Sequence, residues 1–498
     1  MKNPKTVTVI GLDAIGRQYS AVSFLNVREN WDLSGMSAKV NLSIAYLKPI
    51  WYLTGGAIQT LRELFGSCIK SRDLTREHRG RGVLQLPHKQ ERKPMKHTPI
   101  VASILFPVMA AFAVPIVSNV NFSQKEDTRV VTVTYELSEE AIVAVDFQTN
   151  VAGNVWASIG YANMHNVAGD VWKLMSASEE NAPHMITWQP VESWPNMKGT
   201  MRAVVTAYPK YNPPNYLVID LSVPETVRYY PCEAALPGGR TNDIYKTERL
   251  VMRRIPAANI EWRMGSPTGE AYRDYTREFA HLVTLTNDYY MGIYPVTEWQ
   301  HYRIVGGDAP SKPFVPKTSI SYTDIRGTAW PQGGYDTIAE GSVMEAFRNH
   351  TGLRLDLPTE AEWEYACRAG TSTALYSGGE SSGFGQIGWH VSNSLVDGVA
   401  TLQNVGDTAK LGNAWGLYDM CGNVDEWCLD YFIADLRQLR SKAPWGPDST
   451  PNTSGTARSL RGSSFDNASM RLRSAFRNSG GQATGNVRRG YRLTLAIP

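Results

Sequence analysis

The stretch that most constrains this chain runs from Asn413 to Asp430 and reads NAWGLYDMCGNVDEWCLD. Gly416, Gly422 and Asn423 interrupt any helical or strand periodicity, while the aromatic and aliphatic residues between them supply enough apolar surface to bury the segment. A buried loop must satisfy its backbone polar groups. Its acidic and amide side chains can do so as hydrogen-bond acceptors, or they can hold a hard cation such as calcium. The pattern therefore predicts a satisfied core loop or a calcium loop, and the lack of regular Asp-x-Asp-x-Asp spacing favours the core loop.

The segment GLYDMCGNVDEW resembles the GLYDM-x-GNVWEW signature of the formylglycine-generating enzyme, or sulfatase-modifying factor, family. Other segments resemble the same family and follow its order: IEWRMGSPTGE (260–270), YYMGIYPVTEWQHY (289–302), RLDLPTEAEWEYACRAGT (354–371), RSLRGSSFDN (458–467), and RSAFRN with GYRLTL (473–495). Several long motifs in one order are far more specific than a single match. The resemblance covers roughly residues 250–498 and implies an α+β domain with a C-type-lectin-like fold.

The first part of the chain has a different composition. Residues 1–94 are basic and weakly periodic, which predicts a disordered arm or a mis-assigned N-terminal extension. Residues 95–113 have the pattern of a secretory signal peptide, with a short basic start, an apolar run and a small-x-small cleavage site ending at Ala113. A membrane anchor is the alternative, and contact with a membrane is expected only if residues 99–118 remain as that anchor. Both interpretations predict a secreted, periplasmic or cell-surface protein.

The middle of the chain alternates apolar and polar residues in short runs. Six or seven such runs between residues 117 and 223, rich in β-branched and aromatic residues, predict an all-β sandwich of the immunoglobulin or fibronectin type. A Pro- and Gly-bearing linker is predicted at 224–245, followed by the sulfatase-modifying-factor-like domain at 246–498. The formal net charge of +3 and the absence of a basic stripe argue against a nucleic-acid partner.

The chain lacks the thiols that the family's oxidation chemistry needs. Catalytic members of the resembled family use two thiolates near the C-terminus to bind copper and oxidise a substrate cysteine, and soft thiolates are what Cu(I) requires. Here Asn467 and Ser469 stand at the equivalent positions, and no cysteine follows Cys428. The sequence therefore predicts no catalytic residue and no copper. Cys421 and Cys428 are expected to form a local disulfide or to remain as buried thiols.

The resemblance also implies a structural calcium ion. Its ligands would be the Asp419 and Glu426 carboxylates with the backbone carbonyls of Gly422 and Val424, a set of oxygens that suits calcium. Asn393 would begin a second site.

The C-terminal segment resembles the variable region of target proteins of diversity-generating retroelements, which use the same lectin-like fold. In that comparison one set of residues keeps the fold: Arg461, Gly462, Phe465, Arg473, Ala475, Arg477, Gly490 and Arg492. A second set is predicted to form an exposed binding face: Asp466, Asn467, Met470, Leu472, Phe476, Asn478 and Arg488. A flexible Met, a Phe and several polar groups make an adaptable surface. The alternative that Met470, Leu472 and Phe476 are core residues stays open.

Three functional hypotheses follow. The favoured one is a secreted, non-catalytic protein that binds an unknown protein or glycan through its C-terminal face. The first alternative is an oxidoreductase that converts a sulfatase cysteine to formylglycine, or a variant of it. The second alternative is a diversified binding protein of a retroelement. The missing C-terminal thiols separate the first alternative from the other two.

Overall fold

A computed structural model describes eight segments of the chain: residues 6–12, 18–24, 114–164, 166–195, 198–330, 336–379, 383–437 and 457–497. The predicted signal segment and most of the basic extension lie outside these residues. At the start of the chain, β1 (Thr6–Leu12) and β2 (Gln18–Phe24) pair as an antiparallel hairpin. Within the described segments, no helix combines the length and the apolar character that crossing a membrane requires.

Two antiparallel sheets form the part of the chain between residues 117 and 208. Their strands are β3 (Val117–Gln124), β4 (Val131–Leu137), β5 (Ala141–Ala152), β6 (Val155–Ser158), β7 (Ala168–Gly169), β8 (Leu174–Met175), β9 (His184–Trp188) and β10 (Met201–Tyr208), with a short helix α1 (Pro190–Ser193). One sheet has the order β3–β4–β9–β7, and the other has β10–β5–β6 with β8 also paired to β5.

The core of this part lies between the two sheets. Alternate residues of β4 are buried, as the sequence pattern predicts for a half-buried strand. Trp188 of the first sheet stacks on Phe147 of the second, with ring centroids 4.5 Å apart and an interplanar angle of 17°. The predicted all-β sandwich is confirmed.

The last strand predicted for the sandwich pairs instead with strands of the C-terminal part. β11 (Tyr216–Asp220) pairs with β12 (Val227–Tyr230) on one side and with β13 (Arg249–Ile255) on the other. Residues 216–223 therefore lie outside the sandwich, and the segment 224–245 is not only a linker. The physical reason is burial, because Leu217 and Ile219 contribute to the core of the C-terminal part.

In its described residues, the C-terminal part combines two sheets, two hairpins and five short α-helices. The remaining strands are β14 (Ile260–Met264), β15 (His281–Leu285), β16 (Tyr289–Gly292), β17 (Leu395–Val396), β18 (Val399–Ala400), β19 (Asp425–Tyr431), β20 (Ala457–Arg461), β21 (Arg477–Gly481), β22 (Arg489–Gly490) and β23 (Thr494–Ala496). The helices are α2 (Glu298–Val305), α3 (Tyr322–Arg326), α4 (Val343–Thr351), α5 (Glu360–Arg368) and α6 (Phe384–Ile387). The sheets have the orders β12–β11–β13–β16–β23 and β21–β20–β19–β22, beside the hairpins β14–β15 and β17–β18.

Local sequence signals account for the ends of the helices. The Thr359 hydroxyl accepts from the Glu362 backbone N–H at 3.2 Å, and the Glu362 carboxylate accepts from the Thr359 N–H at 2.8 Å. This capping box starts α5. Gly352 ends α4 in the left-handed conformation, with φ of 68°.

Four buried arginines join the helices and loops to the second sheet. Arg461 is bound to Glu364, Arg473 to Glu278, Arg477 to Glu360, and Arg492 to Glu426. All four arginines are among the predicted framework residues, and the other four framework residues are buried as well. Buried charges are tolerated when each has a partner of good geometry, so these ion pairs fix the base on which the C-terminal face is built.

Candidate functional site

The loop between β20 and β21, together with Asn478 of β21 and Arg488 before β22, forms the C-terminal face, and Asp425 at the start of β19 lies buried beneath it. We use that name for Asp466, Asn467, Met470, Arg471, Phe476, Asn478 and Arg488. Ser463 follows β20 with φ of 71°, and a 3₁₀ turn at Ser469–Arg471 leads toward β21. The buried guanidinium of Arg461 donates to three backbone carbonyls of this loop, those of residues 474–476, so a segment with little regular structure is held in one place.

A chain of hydrogen bonds orders the polar side chains of the face. Asn467 Nδ2 donates to Ser464 Oγ at 2.5 Å, and Ser464 Oγ donates to Asp466 Oδ1 at 2.8 Å. Arg488 Nε donates to Asp466 Oδ2 at 2.6 Å, and Arg471 Nη1 donates to Asn467 Oδ1 at 2.9 Å. The structure thus brings together three predicted residues of the binding face, Asp466, Asn467 and Arg488, with Arg471 and Ser464. Preformed polar contacts of this kind reduce the ordering cost of binding.

Asp425 lies beneath the face with one free oxygen. Its Oδ2 accepts from Asn478 Nδ2 at 3.2 Å, whereas the buried Oδ1 has no hydrogen-bond partner in the described part of the chain. Burial raises the pKa of Asp425 to about 7, and the Asp466 charge adds to this, although Arg489 and Arg471 oppose it. A buried acceptor without a donor is costly, so this oxygen is suited to receive a hydrogen bond from a bound group.

The sequence analysis assigned Asp425 to the core loop and missed its place under the face. The available signal was the departure from the family signature, where GNVDEW replaces GNVWEW. A charged residue at an aromatic position changes what the site can hold.

The apolar candidates divide between surface and core. Met470 is 43% exposed, and Phe476 is partly buried with the Arg471 guanidinium 5.6 Å from its ring centroid. Leu472 is fully buried in a hydrophobic core that also contains Cys421, so its prediction as an exposed residue is wrong. The cause is the 3₁₀ turn, which exposes Met470 and returns the chain to the core two residues later.

The three cysteines of the domain lie in its core: Cys367, Cys421 and Cys428 are each fully buried. The family resemblance predicts thiols at Asn467 and Ser469 instead. Burial raises the pKa of Cys421 and of Cys428 well above the ordinary thiol value, which disfavours the reactive thiolate. The Sγ atom of Cys421 lies 3.8 Å from that of Cys367, so its neighbour is not the Cys428 suggested by sequence proximity.

The two carboxylates predicted to bind calcium accept hydrogen bonds from other groups of the protein. Glu426 accepts from Arg492 Nη2 at 2.8 Å and Nε at 3.0 Å, and from Trp363 Nε1 at 2.7 Å. Asp419 Oδ2 accepts from the Gly406 N–H at 2.7 Å. Burial raises the pKa of Asp419 to about 6. A calcium ion would have to displace Arg492 from Glu426, so these residues as arranged do not fit a calcium site.

Two of the other predicted ligands, Gly422 and Asn393, are also used locally. The Gly422 carbonyl accepts from the Val424 N–H at 2.9 Å. Asn393 accepts from the His390 N–H at 2.7 Å and donates to the Gly388 carbonyl at 3.1 Å, which closes its own turn. In the described segments, no group of three or more His, Cys, Asp or Glu side chains is arranged to hold a metal.

Comparison with known proteins identifies the C-terminal domain. A family model described as sulfatase-modifying factor enzyme 1-like domain matches residues 251–497. The formylglycine-generating enzyme of Thermomonospora curvata is 36% identical over 133 residues, which cover 24% of this chain and 41% of that enzyme. The serine/threonine-protein kinase pkn1 of Chlamydia pneumoniae is 32% identical over 141 residues, which cover 28% of this chain and 21% of the kinase. The chain thus spans less than half the length of these relatives.

Among solved structures, PvdO from Pseudomonas aeruginosa aligns with 23% identity and a TM-score of 0.41, covering 50% of this chain and 95% of that chain. The matched family range and the order of motifs agree, and they give the fold class as α+β with a C-type-lectin-like domain after an all-β region. Residues 251–497 are therefore a sulfatase-modifying factor enzyme 1-like domain.

Proposed function

We propose that this protein acts outside the cytoplasm as a binding protein and that its C-terminal face contacts a protein or glycan ligand without catalysis. The observation that carries the proposal is an ordered polar surface over Asp425, in a segment that contains no cysteine after Cys428. Asn467 and Asp466 are held in place by Ser464, Arg471 and Arg488. These groups supply donors and acceptors, and they supply no nucleophile of the kind that cysteine oxidation needs.

The chemistry of the face supports hydrogen-bonding ligands. Arg471 and Arg488 supply donors and Asp466 supplies acceptors, while the buried Oδ1 of Asp425 beneath them has no donor in the described part of the chain. Exposed Met470 adds an adaptable apolar contact. A mixed surface of this kind fits a polar protein segment or a glycan, because both present hydroxyl or amide groups beside apolar patches.

The oxidoreductase alternative rests on the 36% identity with the enzyme from Thermomonospora curvata. The burial of all three cysteines between residues 367 and 428 weighs against it, because a copper-binding thiolate pair must be able to ionise and to reach the substrate. Retroelement diversification is a property of many sequences, and the exposure of Met470 is compatible with it.

The deciding experiment incubates the purified protein with copper, oxygen and a peptide containing Cys-x-Pro-x-Arg. Mass spectrometry then follows conversion of the peptide cysteine to the aldehyde, with an active formylglycine-generating enzyme as the positive control. The proposal expects an unchanged peptide. Aldehyde formation that is lost in Cys421→Ser would replace the binding proposal with the oxidase.

The binding proposal itself is tested on a protein and glycan array. Wild-type protein is compared with Asp466→Asn and Arg488→Gln, which alter the face, and with Arg437→Gln, which alters an exposed ion pair with Asp435 outside the face. A ligand retained by Arg437→Gln and lost by both face variants supports the proposal. Ligands that bind all four proteins equally would place recognition elsewhere.

A further inference from the structure

A groove of about 580 Å³ lies where the sandwich meets the C-terminal domain. Leu174 and Lys210 line it from the sandwich side, and Tyr290, Leu353 and Leu495 line it from the domain side. This volume falls within the range of roughly 300–1,000 Å³ that small-molecule sites occupy, and such sites often form where domains meet. We call it the junction groove.

One wall of the junction groove is formed by aromatic and aliphatic side chains. Tyr229 and Tyr290 contribute two rings whose centroids are 6.4 Å apart. The Tyr290 hydroxyl donates to the Pro214 carbonyl at 2.5 Å, so its ring meets the groove without an unsatisfied group. Leu174 remains 39% exposed. Tyr290 is already buried, whereas Leu174, Tyr229 and Leu495 keep surface that an apolar ligand body would remove from water.

The carboxylates that line the groove are already bound. Asp356 receives Arg326 Nε at 2.8 Å and Arg348 Nη2 at 2.9 Å. Glu362 accepts from the Thr359 N–H in the capping box. The charge of Asp356 is therefore compensated by two arginines, and burial raises the pKa of Glu362 to about 7, which reduces its negative charge. The remaining charges of the groove are those of its two bases.

Among the described residues, two basic side chains at the rim form ion pairs with exposed partners. Lys210 contacts Glu140 at 2.5 Å, with both side chains about half exposed. Arg354 contacts Asp336, and these side chains are 68% and 75% exposed. Ion pairs in water contribute little. Either base can therefore exchange its partner for an anionic ligand group at small cost.

We propose that the junction groove binds a small amphiphilic anion, with its apolar body against Tyr229, Tyr290 and Leu495 and its anionic group beside Lys210 or Arg354. The groove is separate from the C-terminal face, so the proposal is independent of the ligand of that face. A carboxylate with a medium-length alkyl chain matches the apolar wall, the volume and the basic rim.

Decanoate is the probe, and isothermal titration calorimetry with the full chain measures its affinity. Binding of one equivalent is expected, and decyltrimethylammonium, which carries the opposite charge on the same tail, is expected to bind at least about tenfold more weakly. The double variant Lys210→Gln with Arg354→Gln should weaken decanoate binding about fivefold or more, since it removes both rim charges. Lys312→Gln changes an exposed lysine outside the groove and should bind as the wild type does.

A filling variant tests the position independently of charge. Ala496 lines the groove and is exposed, so Ala496→Trp can occupy the space without entering the core. It should abolish binding while leaving the melting temperature within about 2 °C of wild type. Absence of decanoate binding, equal binding of the cationic probe, or undiminished binding by Ala496→Trp would each overturn the proposal.

Discussion

Arg477 binds Glu360 through two hydrogen bonds, from Nε to Oε1 at 2.5 Å and from Nη2 to Oε2 at 2.7 Å. Ser459 Oγ donates to the same carboxylate at 2.8 Å. Burial disfavours ionisation of Glu360, but Arg477 and Arg461 outweigh it and hold the pKa at about 2. The pair connects β21 to the first turn of α5, so it fixes the sheet that supports the C-terminal face.

Replacing Arg477 by Met should destabilise the protein by about 3 kcal/mol, because it leaves the Glu360 carboxylate buried with insufficient compensation. Urea unfolding measures the loss. The double variant Arg477→Met with Glu360→Gln should recover part of it, since both charges are then gone. Arg437→Met removes an exposed pair and should lower the free energy of unfolding much less. Equal losses in the two single variants would contradict the role of burial.

Asp425→Asn should change how stability depends on pH. The folded-state pKa of about 7 is above the value of about 3.9 for an unfolded Asp. A carboxyl with a raised pKa contributes stability below the unfolded value, and this contribution is lost as pH rises through about 7. Relative to wild type, Asp425→Asn should therefore gain on the order of 2 kcal/mol between pH 5 and pH 8. If the free energies of unfolding of the two proteins change in parallel from pH 5 to pH 8, Asp425 does not titrate in this range.

Cys421 should pair with Cys367 on oxidation. Refolding in a buffer containing glutathione disulfide would transfer two electrons and two protons from the thiols to the oxidant, forming one protein disulfide and two molecules of glutathione. The Sγ atoms of Cys367 and Cys421 are 3.8 Å apart, whereas the Cys428 Sγ is directed to the Glu426 carbonyl at 3.9 Å. Peptide mapping without reduction should find the crosslink in wild type and Cys428→Ser, and not in Cys421→Ser. A peptide joining residues 421 and 428 would instead support the local disulfide.

Leu472→Ala and Met470→Ala should separate core from surface in the same loop. Leu472 is fully buried, so its truncation should cost about 2–5 kcal/mol through lost contacts and a cavity. Met470 is 43% exposed, and its truncation should change stability by less than about 1 kcal/mol. Thermal unfolding of both variants provides the comparison. Similar melting temperatures would mean that the turn exposes both residues.

Removing calcium should leave the melting temperature unchanged. Glu426 is already hydrogen-bonded to Arg492, so its carboxylate is not free to bind a cation. Differential scanning fluorimetry with EDTA and with calcium measures the effect. A rise in melting temperature with calcium that Asp419→Asn abolishes would restore the calcium site predicted from the family resemblance.

Local and ordered signals allowed much of the fold to be predicted. The capping box at Thr359, the glycine that ends α4 and the alternation of β4 depend on neighbouring residues, and each is present in the structure. The order of long motifs predicted the C-terminal domain, which the family match confirms. The partner of β11 could not be predicted, because an apolar strand fits either sheet until its register with β13 is known.

The candidate site was harder to predict for the same physical reason. Sequence proximity suggested Cys428 as the neighbour of Cys421, but packing of α5 against the loop brings in Cys367. The free oxygen of Asp425 depends on which donors surround it in three dimensions. The exposure of Met470 and burial of Leu472 depend on a turn of only three residues.

The pairing of β11 with β13 has a consequence for how this domain can be transplanted. Register partners Leu217 with Met252 and Ile219 with Leu250 are all buried, although the family match begins only at residue 251. A fragment cut at that boundary would expose an unpaired, apolar sheet edge, which is a template for aggregation. Gene fusions that reuse the motif-bearing part alone must therefore supply a foreign strand to cover it.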